Sequence, residues 1–449
     1  DNLILSYGDK VANPAITSSG RDQVLVFNVG FSGMGNLQTE IVYDGNTIAD
    51  QNDLRVFYQF NGNNSGWSGS LTAGNATADP DLVHILRMRG NNALGAANQV
   101  NTHFNTVLQA GGRTVQTGNV MIVPNGIATG NGAATAGIII ENADTTPGTF
   151  IINQTVNENW DALFRDGQFV GEFATPGQPL VSQPLTVVKT GSAVATMTQA
   201  NTYTGGTQVG RLNGAAGGTL RVGVGASISS NSPITVFGGT LEFNVNHTAN
   251  QVVTLGGGAA GTKASLQTGS STLTINNNVV YNAANNPAGA ELGGNVQMGA
   301  AQRTFTVADS IGAAIDLNVS ANLMGTSTMP LIKTGPGTLA LSGANTFSGG
   351  VSIQQGVLLA NNTSGSATGS AAVTVMPGAT LGGIGSIAGD VNLTTGVMGN
   401  GPMISVGSPV INSGLELLDL QGVLTLGEYS IIDFYLGQTG FTKLSVNTI

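Results

Sequence analysis

The sequence contains no cysteine and very little charge: 14 Lys and Arg and 24 Asp and Glu residues among 449. Without cysteine there is neither a disulfide framework nor a thiol-based site. Basic residues are too sparse to neutralise nucleic-acid phosphates, and the net charge of −10 opposes that partner. Because no apolar run reaches about eighteen residues, we also expect no membrane-spanning helix in this chain.

Glycine and other small residues dominate what is present. There are 67 glycines, while aromatic residues make up only 5%. The hydrophobic content of 41% with 8% charged residues is the opposite of a disordered composition. Glycine destabilises a helix by about 1 kcal/mol per residue relative to Ala, but it suits tight turns. The composition therefore predicts a folded protein of many short strands joined by turns.

Short phrases recur at intervals near twenty residues. Residues 217–222 read GGTLRV and return 21 positions later as GGTLEF, and the pattern of residues 373–375 returns 18 positions later at residues 391–393. Within these phrases apolar and polar residues alternate, as in half-buried strands. Such intervals are typical of solenoids, whose coils stack about 4.8 Å apart. We predict an all-β parallel β-helix (β-solenoid) with coils of about 18–21 residues.

A longer phrase occurs twice. Residues 331–350 read LIKTGPGTLALSGANTFSGG, and residues 187–206 read VVKTGSAVATMTQANTYTGG. The later copy closely resembles the passenger-associated transport repeat of autotransporter-type bacterial surface proteins. The earlier copy has Ala193 where the later one has Gly337, and Ala195 where it has Leu339. We therefore expect the coil of the earlier copy to be distorted.

The resemblance, which extends from about residue 186 to 395, implies a right-handed parallel β-helix displayed outside the cell. It also implies a large, non-catalytic protein concerned with adhesion, aggregation or surface structure. We expect three parts. Residues 1–185 form an N-terminal solenoid portion with looped insertions, and they contain 15 of the 24 acidic residues. Residues 186–410 form the repeat-bearing solenoid. Residues 411–449 form C-terminal strands that cap the solenoid or mediate assembly.

The N-terminal part also contains both tryptophans. Trp160, beside Asp161, could stack on the face of a sugar, so Trp160, Asp161 and Trp67 are the candidate glycan contacts. The alternative is that Trp160 and Phe164 pack in a thin core, because aromatic side chains contribute large burial.

Residues 79–90 fit two local structures. They begin with Asp and Pro and end with Gly, as a short helix does. They equally fit a strand with Arg87 and Arg89 on its outer side.

No pattern predicts catalysis, a cofactor or a metal. A β-helix glycosidase needs carboxylates about 5 to 9.5 Å apart. Between residues 192 and 411 only Asp309 and Asp316 lie within one coil of each other, and we expect them to face different ways. The three histidines, at positions 84, 103 and 247, are too separated for a metal motif and are expected at the surface or in turns.

The C-terminal strands suggest a partner. They are rich in apolar residues, and we expect subunits to pair through the solenoid ends or through Leu424, Leu426, Ile432, Phe434 and Leu436. The sequence thus favours a non-catalytic extracellular structural protein of a bacterial surface that self-assembles as a homo-oligomer into a filament, layer or matrix. The alternatives are an adhesin that binds surface glycans through its N-terminal part and, less favoured, a polysaccharide-active β-helix enzyme.

Overall fold

The structure is a computed structural model. It describes residues 2–8, 22–27, 32–34, 36–42, 54–62, 64, 66–73, 82–88, 99–102, 106–110, 114–117, 119–122, 138–142, 146–167, 183–325, 330–406, 417–434 and 442–448. The regular elements in these residues are all strands, and they contain no helix. The chain divides into two compact units, unit 1 (Asp1–Gln208 and Gly218–Ser232) and unit 2 (Val209–Gly217 and Pro233–Ile449).

The strands of unit 1 are short and separated by turns. They are β1 (Asn2–Gly8), β2 (Asp22–Phe27), β3 (Ser32–Gly33), β4 (Asn36–Val42), β5 (Leu54–Phe60), β6 (Gly66–Trp67), β7 (Ser70–Ala73), β8 (Leu82–Met88), β9 (Gln99–Thr102), β10 (Thr106–Gln109), β11 (Thr114–Thr117), β12 (Asn119–Ile122), β13 (Ile138–Asn142), β14 (Gly148–Asn153), β15 (Glu158–Trp160), β16 (Ala162–Asp166), β17 (Leu185–Thr190), β18 (Val194–Met197) and β20 (Thr219–Val222). The boundary between the units falls within β19 (Gly206–Val209).

Unit 2 also consists mostly of short strands. They are β21 (Ile234–Val236), β22 (Gly239–Phe243), β23 (His247–Ala249), β24 (Val253–Gly256), β25 (Ala264–Ile275), β26 (Val279–Asn282), β27 (Ala290–Met298), β28 (Arg303–Val307), β29 (Leu317–Val319), β30 (Asn322–Met324), β31 (Leu331–Thr334), β32 (Thr338–Leu341), β33 (Val351–Ile353), β34 (Gly356–Ala360), β35 (Val373–Val375), β36 (Ala379–Gly383), β37 (Ser386–Ile387), β38 (Val391–Leu393), β39 (Met403–Val406), β40 (Leu417–Leu426), β41 (Ile431–Phe434) and β42 (Lys443–Thr448).

The strand order of unit 1 is that of stacked parallel coils. One sheet has the order β1-β4-β7-β9-β12, and another has β16-β13-β10-β8-β5-β2. The series β11-β14-β17 and β15-β18-β20 form two further ladders, and β3 pairs with β6. Residues 82–88 are strand β8, which decides between the two local structures that the sequence allowed. Arg87 lies buried within that strand rather than on its outer side, and Arg89 lies outside the described residues.

In unit 2 consecutive strands alternate between two ladders. One runs β21-β24-β26-β28-β31-β33-β35-β38-β40 and the other β22-β25-β27-β29-β32-β34-β36-β39-β41. β23 pairs with β25, β30 with β27, and β37 and β42 both pair with β40. Because each strand pairs in parallel with the strand one coil later, the all-β parallel β-helix fold is confirmed.

The core consists of apolar rows that run from coil to coil. In one ladder Leu331, Val351, Val373, Val391 and Leu424 lie in register, and each is at most 2% exposed. Alternation along each strand places every second side chain in such a row. Burial of each aliphatic side chain contributes about 1.5–3 kcal/mol relative to exposure.

A matching row lines the other ladder of unit 2. Leu317, Leu339, Leu358, Leu381 and Ile404 are in register and fully buried. The two rows show that the apolar alternation in the sequence corresponds to the inward-facing side of each strand.

The coils vary in length around the expected interval. Val373 pairs with Val391, and Leu331 pairs with Val351, at intervals like those of the recurring phrases. Elsewhere the interval is clearly longer, as between Val391 and its partner Leu424. Strand pairing constrains only the residues in register, and lengthening a loop costs little entropy. The register of the ladder is therefore kept although the interval varies.

Candidate functional site

The phrase that occurs twice places a lysine in the interior of each copy. Lys189 lies in β17 and Lys333 in β31, and both are 0% exposed. Nζ of Lys333 donates to the carbonyl oxygens of Thr334 at 3.1 Å, Gly335 at 2.7 Å and Gln355 at 2.9 Å. Since Gln355 belongs to the next coil, the ammonium group holds two coils together at this corner.

The earlier lysine makes the equivalent local bonds. Nζ of Lys189 donates to the carbonyl oxygens of Thr190 at 2.6 Å and Gly191 at 3.0 Å. Burial lowers the pKa of Lys189 to about 8. Burial also lowers the pKa of Lys333 to about 8, although the nearby Asp316 carboxylate acts in the opposite direction. Both lysines are therefore structural groups whose charged form is disfavoured by desolvation.

Each lysine is followed two residues later by a glycine that the turn requires. Gly191 has φ of 74° and Gly335 has φ of 80°, in the left-handed region. A Cβ at Gly191 would overlap the backbone of Gln154, and one at Gly335 would overlap the backbone of Val307. Glycine is needed for both the turn and the close approach of the preceding coil.

An asparagine in each copy joins three successive coils. Oδ1 of Asn345 accepts from the N–H of Leu323 at 2.7 Å, and its Nδ2 donates to the carbonyl of Ala367 at 2.5 Å. Leu323 belongs to the coil before Asn345, and Ala367 belongs to the coil after it. The Asn345 side chain is 4% exposed.

Asn201 repeats this arrangement in unit 1. Its Oδ1 accepts from the N–H of Phe164 at 2.8 Å, and its Nδ2 donates to the carbonyls of Gln199 at 2.8 Å and Ser227 at 3.0 Å. An amide has both a donor and an acceptor, so one side chain satisfies backbone groups on either side of its own coil.

The aromatic residue two positions after each asparagine is buried. Tyr203 is 0% and Phe347 is 2% exposed. The hydroxyl of Tyr203 hydrogen-bonds Oγ1 of Thr207 at 2.7 Å, and burial raises the pKa of Tyr203. Lysine, glycine, asparagine and aromatic residue thus form a coil-stapling motif, defined here as Lys189, Gly191, Asn201 and Tyr203 in one copy and Lys333, Gly335, Asn345 and Phe347 in the other.

The expected distortion of the earlier copy is not seen in its strand. β18 and β32 begin and end at equivalent positions of the two copies. Ala195 and Leu339 are both fully buried, and Ala193 is 7% exposed. The smaller side chains of the earlier copy are accommodated without loss of the strand.

Comparison with protein families matches the same two segments. The model of the passenger-associated-transport-repeat matches residues 187–211 and 331–360. The chain carries two passenger-associated transport repeats. These repeats indicate an autotransporter passenger on the bacterial surface or secreted from it, and the repeat family is not a catalytic one. Comparisons with curated proteins and with solved structures found no match.

Trp160 lies in the core and not at the surface. It is 0% exposed, and its Nε1–H donates to Oε1 of Gln154 at 2.7 Å. It packs against Phe150 and Phe164, with ring centroids 6.1 Å and 6.0 Å away. The structure therefore supports the core role of Trp160 and Phe164 and leaves no indole face of Trp160 for a sugar.

The other two candidate glycan contacts, Trp67 and Asp161, also make their contacts within the protein. Trp67 is 3% exposed. Asp161 is half-buried, and its Oδ1 accepts hydrogen bonds from Thr198 and Gln199. The structure thus does not support Trp67 as a stacking surface, and it gives Asp161 a role in joining adjacent coils.

The C-terminal candidates separate into buried and exposed residues. Leu424 is 1% exposed and completes a core row, so its side chain is not available to another subunit. Leu426, Ile432 and Phe434 are 43%, 36% and 45% exposed. Leu436 lies outside the described residues.

Sequence reasoning missed a buried polar ladder in unit 1. Nε of Arg87 donates to Oε1 of Gln109 at 2.8 Å, and Nε2 of Gln109 donates to Oε1 of Glu141 at 2.9 Å. Nε of Arg165 donates to Oε2 of Glu141 at 2.9 Å. These residues are opposite one another on β8, β10, β13 and β16. Because they are unevenly spaced along the chain, they left no periodic signal in the sequence.

Asp316, which was considered for catalysis, holds the backbone of two neighbouring segments, and two of the three histidines are buried. Oδ1 and Oδ2 of Asp316 accept from the N–H groups of Ser310 at 2.7 Å and Thr338 at 2.8 Å, and burial raises the pKa of Asp316. His84 and His247 are 1% and 8% exposed, so the expectation that they lie at the surface or in turns is wrong. The third histidine, at position 103, lies outside the described residues. Those residues contain no cluster of metal-ligating side chains and no helix able to cross a membrane.

Proposed function

We propose that the chain is a non-catalytic structural protein of a bacterial surface that self-assembles end to end into a filament, layer or matrix. The observation that carries this proposal is the exposure of Leu426, Ile432 and Phe434, here called the open core end. Their apolar side chains occupy positions that are buried in earlier coils of unit 2.

The strand register shows why these positions belong to the core. Ile432 is opposite Ile404, and Phe434 is opposite Val406, both of which are fully buried. Leu426 is opposite Leu393, which is 2% exposed. Each earlier residue is covered by the following coil. No described strand follows β41 in its ladder, and β42 pairs with β40 only as far as Val423, before Leu426. Exposed apolar area costs about 25 cal/mol per Å².

A second copy of the chain fits this end. A strand added to β41 would pair the backbone groups on its outer side, which no described strand pairs, and would cover Ile432 and Phe434. The interaction needs no charged contacts, in agreement with the 8% charged residues of the chain. The alternative adhesin function is less supported because Trp160 and Trp67 are buried.

Electron microscopy and sedimentation velocity over a range of protein concentrations test the proposal. We expect assemblies that grow with concentration for the wild type. Ile432→Lys and Phe434→Lys should prevent assembly, because each puts a charge into the open core end. Ile431→Lys is the matched control: it lies on the same strand, opposite the partly exposed Met403, outside the core row.

Urea unfolding of each variant checks that the solenoid itself is retained. Single particles of the wild type at all concentrations would contradict self-assembly and favour the adhesin, to be tested by glycan-binding assays on the full chain. Equal loss of assembly in the Ile431→Lys control would show that the open core end is not the contact.

A further inference from the structure

Strand β42 covers one half of β40 and leaves the other half free. The first half of β40 lies on β37, and its second half lies on β38. On the opposite edge of β40, β42 pairs only with the part from Leu417 to Val423. Leu426, which belongs to the open core end, lies beyond that part. The open core end therefore begins where the pairing of β42 stops.

The inward side of β42 continues two core rows of unit 2. Leu444 is opposite Leu418, and Val446 is opposite Leu420. Leu418 and Leu420 are 0% and 1% exposed, whereas Leu444 and Val446 are half-buried. β42 therefore covers this part of the core, as the following coil does elsewhere in unit 2.

The pairing of β42 loses its register towards the open core end. Leu420 is opposite Val446, but Val423 is opposite Thr448, so an interval of three residues on β40 is matched by two on β42. Only one strand can pair with a given edge of β40. A strand that covered β40 in a single register as far as Leu426 would therefore have to take the place of β42.

The outer edge of β42 has features that oppose pairing with a further strand. Among the described strands β42 pairs with β40 alone. It is six residues long, and its exposed side chains are those of Lys443, Ser445, Asn447 and Thr448. Short edge strands that carry lysine resist edge-to-edge association. These features fit a strand that caps the core better than a strand on which a second copy docks.

We propose that β42 is a displaceable cap, and that a strand of a second copy takes its place on β40 when the chain assembles end to end. This inference rests on the proposed self-assembly and adds its regulation. With β42 in place, a second copy reaches only the open core end. With β42 displaced, the edge of β40 from Leu417 to Leu426 becomes available. The fraction of molecules with β42 displaced therefore sets the apparent affinity between copies.

A disulfide that fixes β42 to β40 provides the sharpest test, because the chain contains no cysteine of its own. Asp419 and Ser445 are opposite each other and alternate with the inward-facing leucine and valine side chains. Opposite positions of adjacent strands lie about 4.8 Å apart, which a disulfide can bridge. Asp419→Cys/Ser445→Cys is compared in its oxidised form and after reduction with dithiothreitol. Ser352→Cys/Thr374→Cys, on the adjacent strands β33 and β35, is the matched control.

Light scattering and electron microscopy follow the assembly, and mass spectrometry confirms each disulfide. We expect the β40–β42 disulfide to slow assembly by about tenfold or more and its reduction to restore the rate, whereas the control pair assembles equally in both forms. Val446→Asp weakens the cap and should speed assembly about tenfold, a change that the lost burial of one aliphatic side chain supplies. Val446→Asp/Ile432→Lys should not assemble, which separates release of the cap from non-specific aggregation.

The outcomes distinguish the cap from the self-assembly on which it rests. Equal rates with and without the β40–β42 disulfide would overturn the cap and leave the self-assembly standing. Slower assembly of Val446→Asp than of the wild type would also overturn the cap, because it would place Val446 in the contact between copies. If neither the wild type nor Val446→Asp assembles, the self-assembly fails together with the cap. Circular dichroism checks that each variant is folded.

Discussion

Glu141 and Arg165 form a buried ion pair across two adjacent parallel strands. Nη2 of Arg165 lies 2.9 Å from Oε2 of Glu141, and the two side chains are 0% (Glu141) and 7% (Arg165) exposed. The other carboxylate oxygen accepts a hydrogen bond from Gln109. Because both oxygens of Glu141 are bound by neighbouring strands, a shift in register would leave a buried charge without its partners.

Glu141→Gln should therefore destabilise unit 1. The change breaks the buried ion pair with Arg165, and we expect a loss of about 3–5 kcal/mol in the free energy of unfolding. The control is Lys263→Met, which breaks the more exposed 2.9 Å pair with Glu291 and should cost under about 1 kcal/mol. Urea unfolding at neutral pH measures both. Equal losses in the free energy of unfolding would show that the buried pair stabilises the protein no more than the exposed pair does.

Asn345→Ala tests the coil-stapling motif. The change leaves the buried N–H of Leu323 and the carbonyl of Ala367 without their partner, and we expect a loss of about 2–5 kcal/mol. Asn244 is exposed, and Asn244→Ala should change the free energy of unfolding by less than about 0.5 kcal/mol. A loss for Asn345→Ala no larger than that for Asn244→Ala would contradict the stapling role.

Gly335→Ala separates steric overlap from backbone strain. Gly261 has nearly the same φ, 79° against 80°, but a Cβ there meets no atom within 4 Å. Gly261→Ala should cost about 1–2 kcal/mol from the left-handed conformation alone. Gly335→Ala should cost at least about twice as much, because its Cβ also overlaps Val307. Chemical denaturation of both variants provides the comparison, and equal costs would contradict the close approach of the coils.

The buried lysines predict an unusual dependence of stability on pH. Burial lowers the pKa of Lys189 and of Lys333 to about 8, against an ordinary value of 10.5. Between about pH 8 and 10.5 the unfolded chain binds more protons than the folded one, so the free energy of unfolding rises with pH. The slope is at most about 1.4 kcal/mol per pH unit for each lysine.

Lys189→Met and Lys333→Met should each remove part of this rise. Measurements between pH 8 and 10 avoid the opposing effect of Tyr281, because burial raises the pKa of Tyr281 to about 12 and its contribution to stability is lost only above pH 10. Asn244→Ala, at an exposed residue without a titratable side chain, is the control and should leave the slope unchanged. A wild-type stability that is flat or falling from pH 8 to 10 would contradict the lowered pKa values of the two buried lysines.

The repeat positions were predictable because their roles are local. Gly191 and Gly335 follow a lysine by two residues in both copies, and the alternation of apolar residues in LIKTGPGTLAL agrees with β31 and β32. The Trp160 site was not predictable in the same way. Whether an indole faces a sugar or a core depends on which strands lie opposite it, here those that carry Phe150 and Phe164.

By itself the sequence determined the class of fold and the family of its repeats. Apolar alternation specifies strands, glycine specifies the corners, and the recurrence of phrases specifies stacked coils, since all three signals depend on residues close together in the chain. Only the tertiary structure decided which distant residues became opposite, such as Arg165 with Glu141 or Ile432 with Ile404. The lengths of the loops determine which residues pair. Because these lengths are unequal, the sequence has no regular spacing that would predict the pairings.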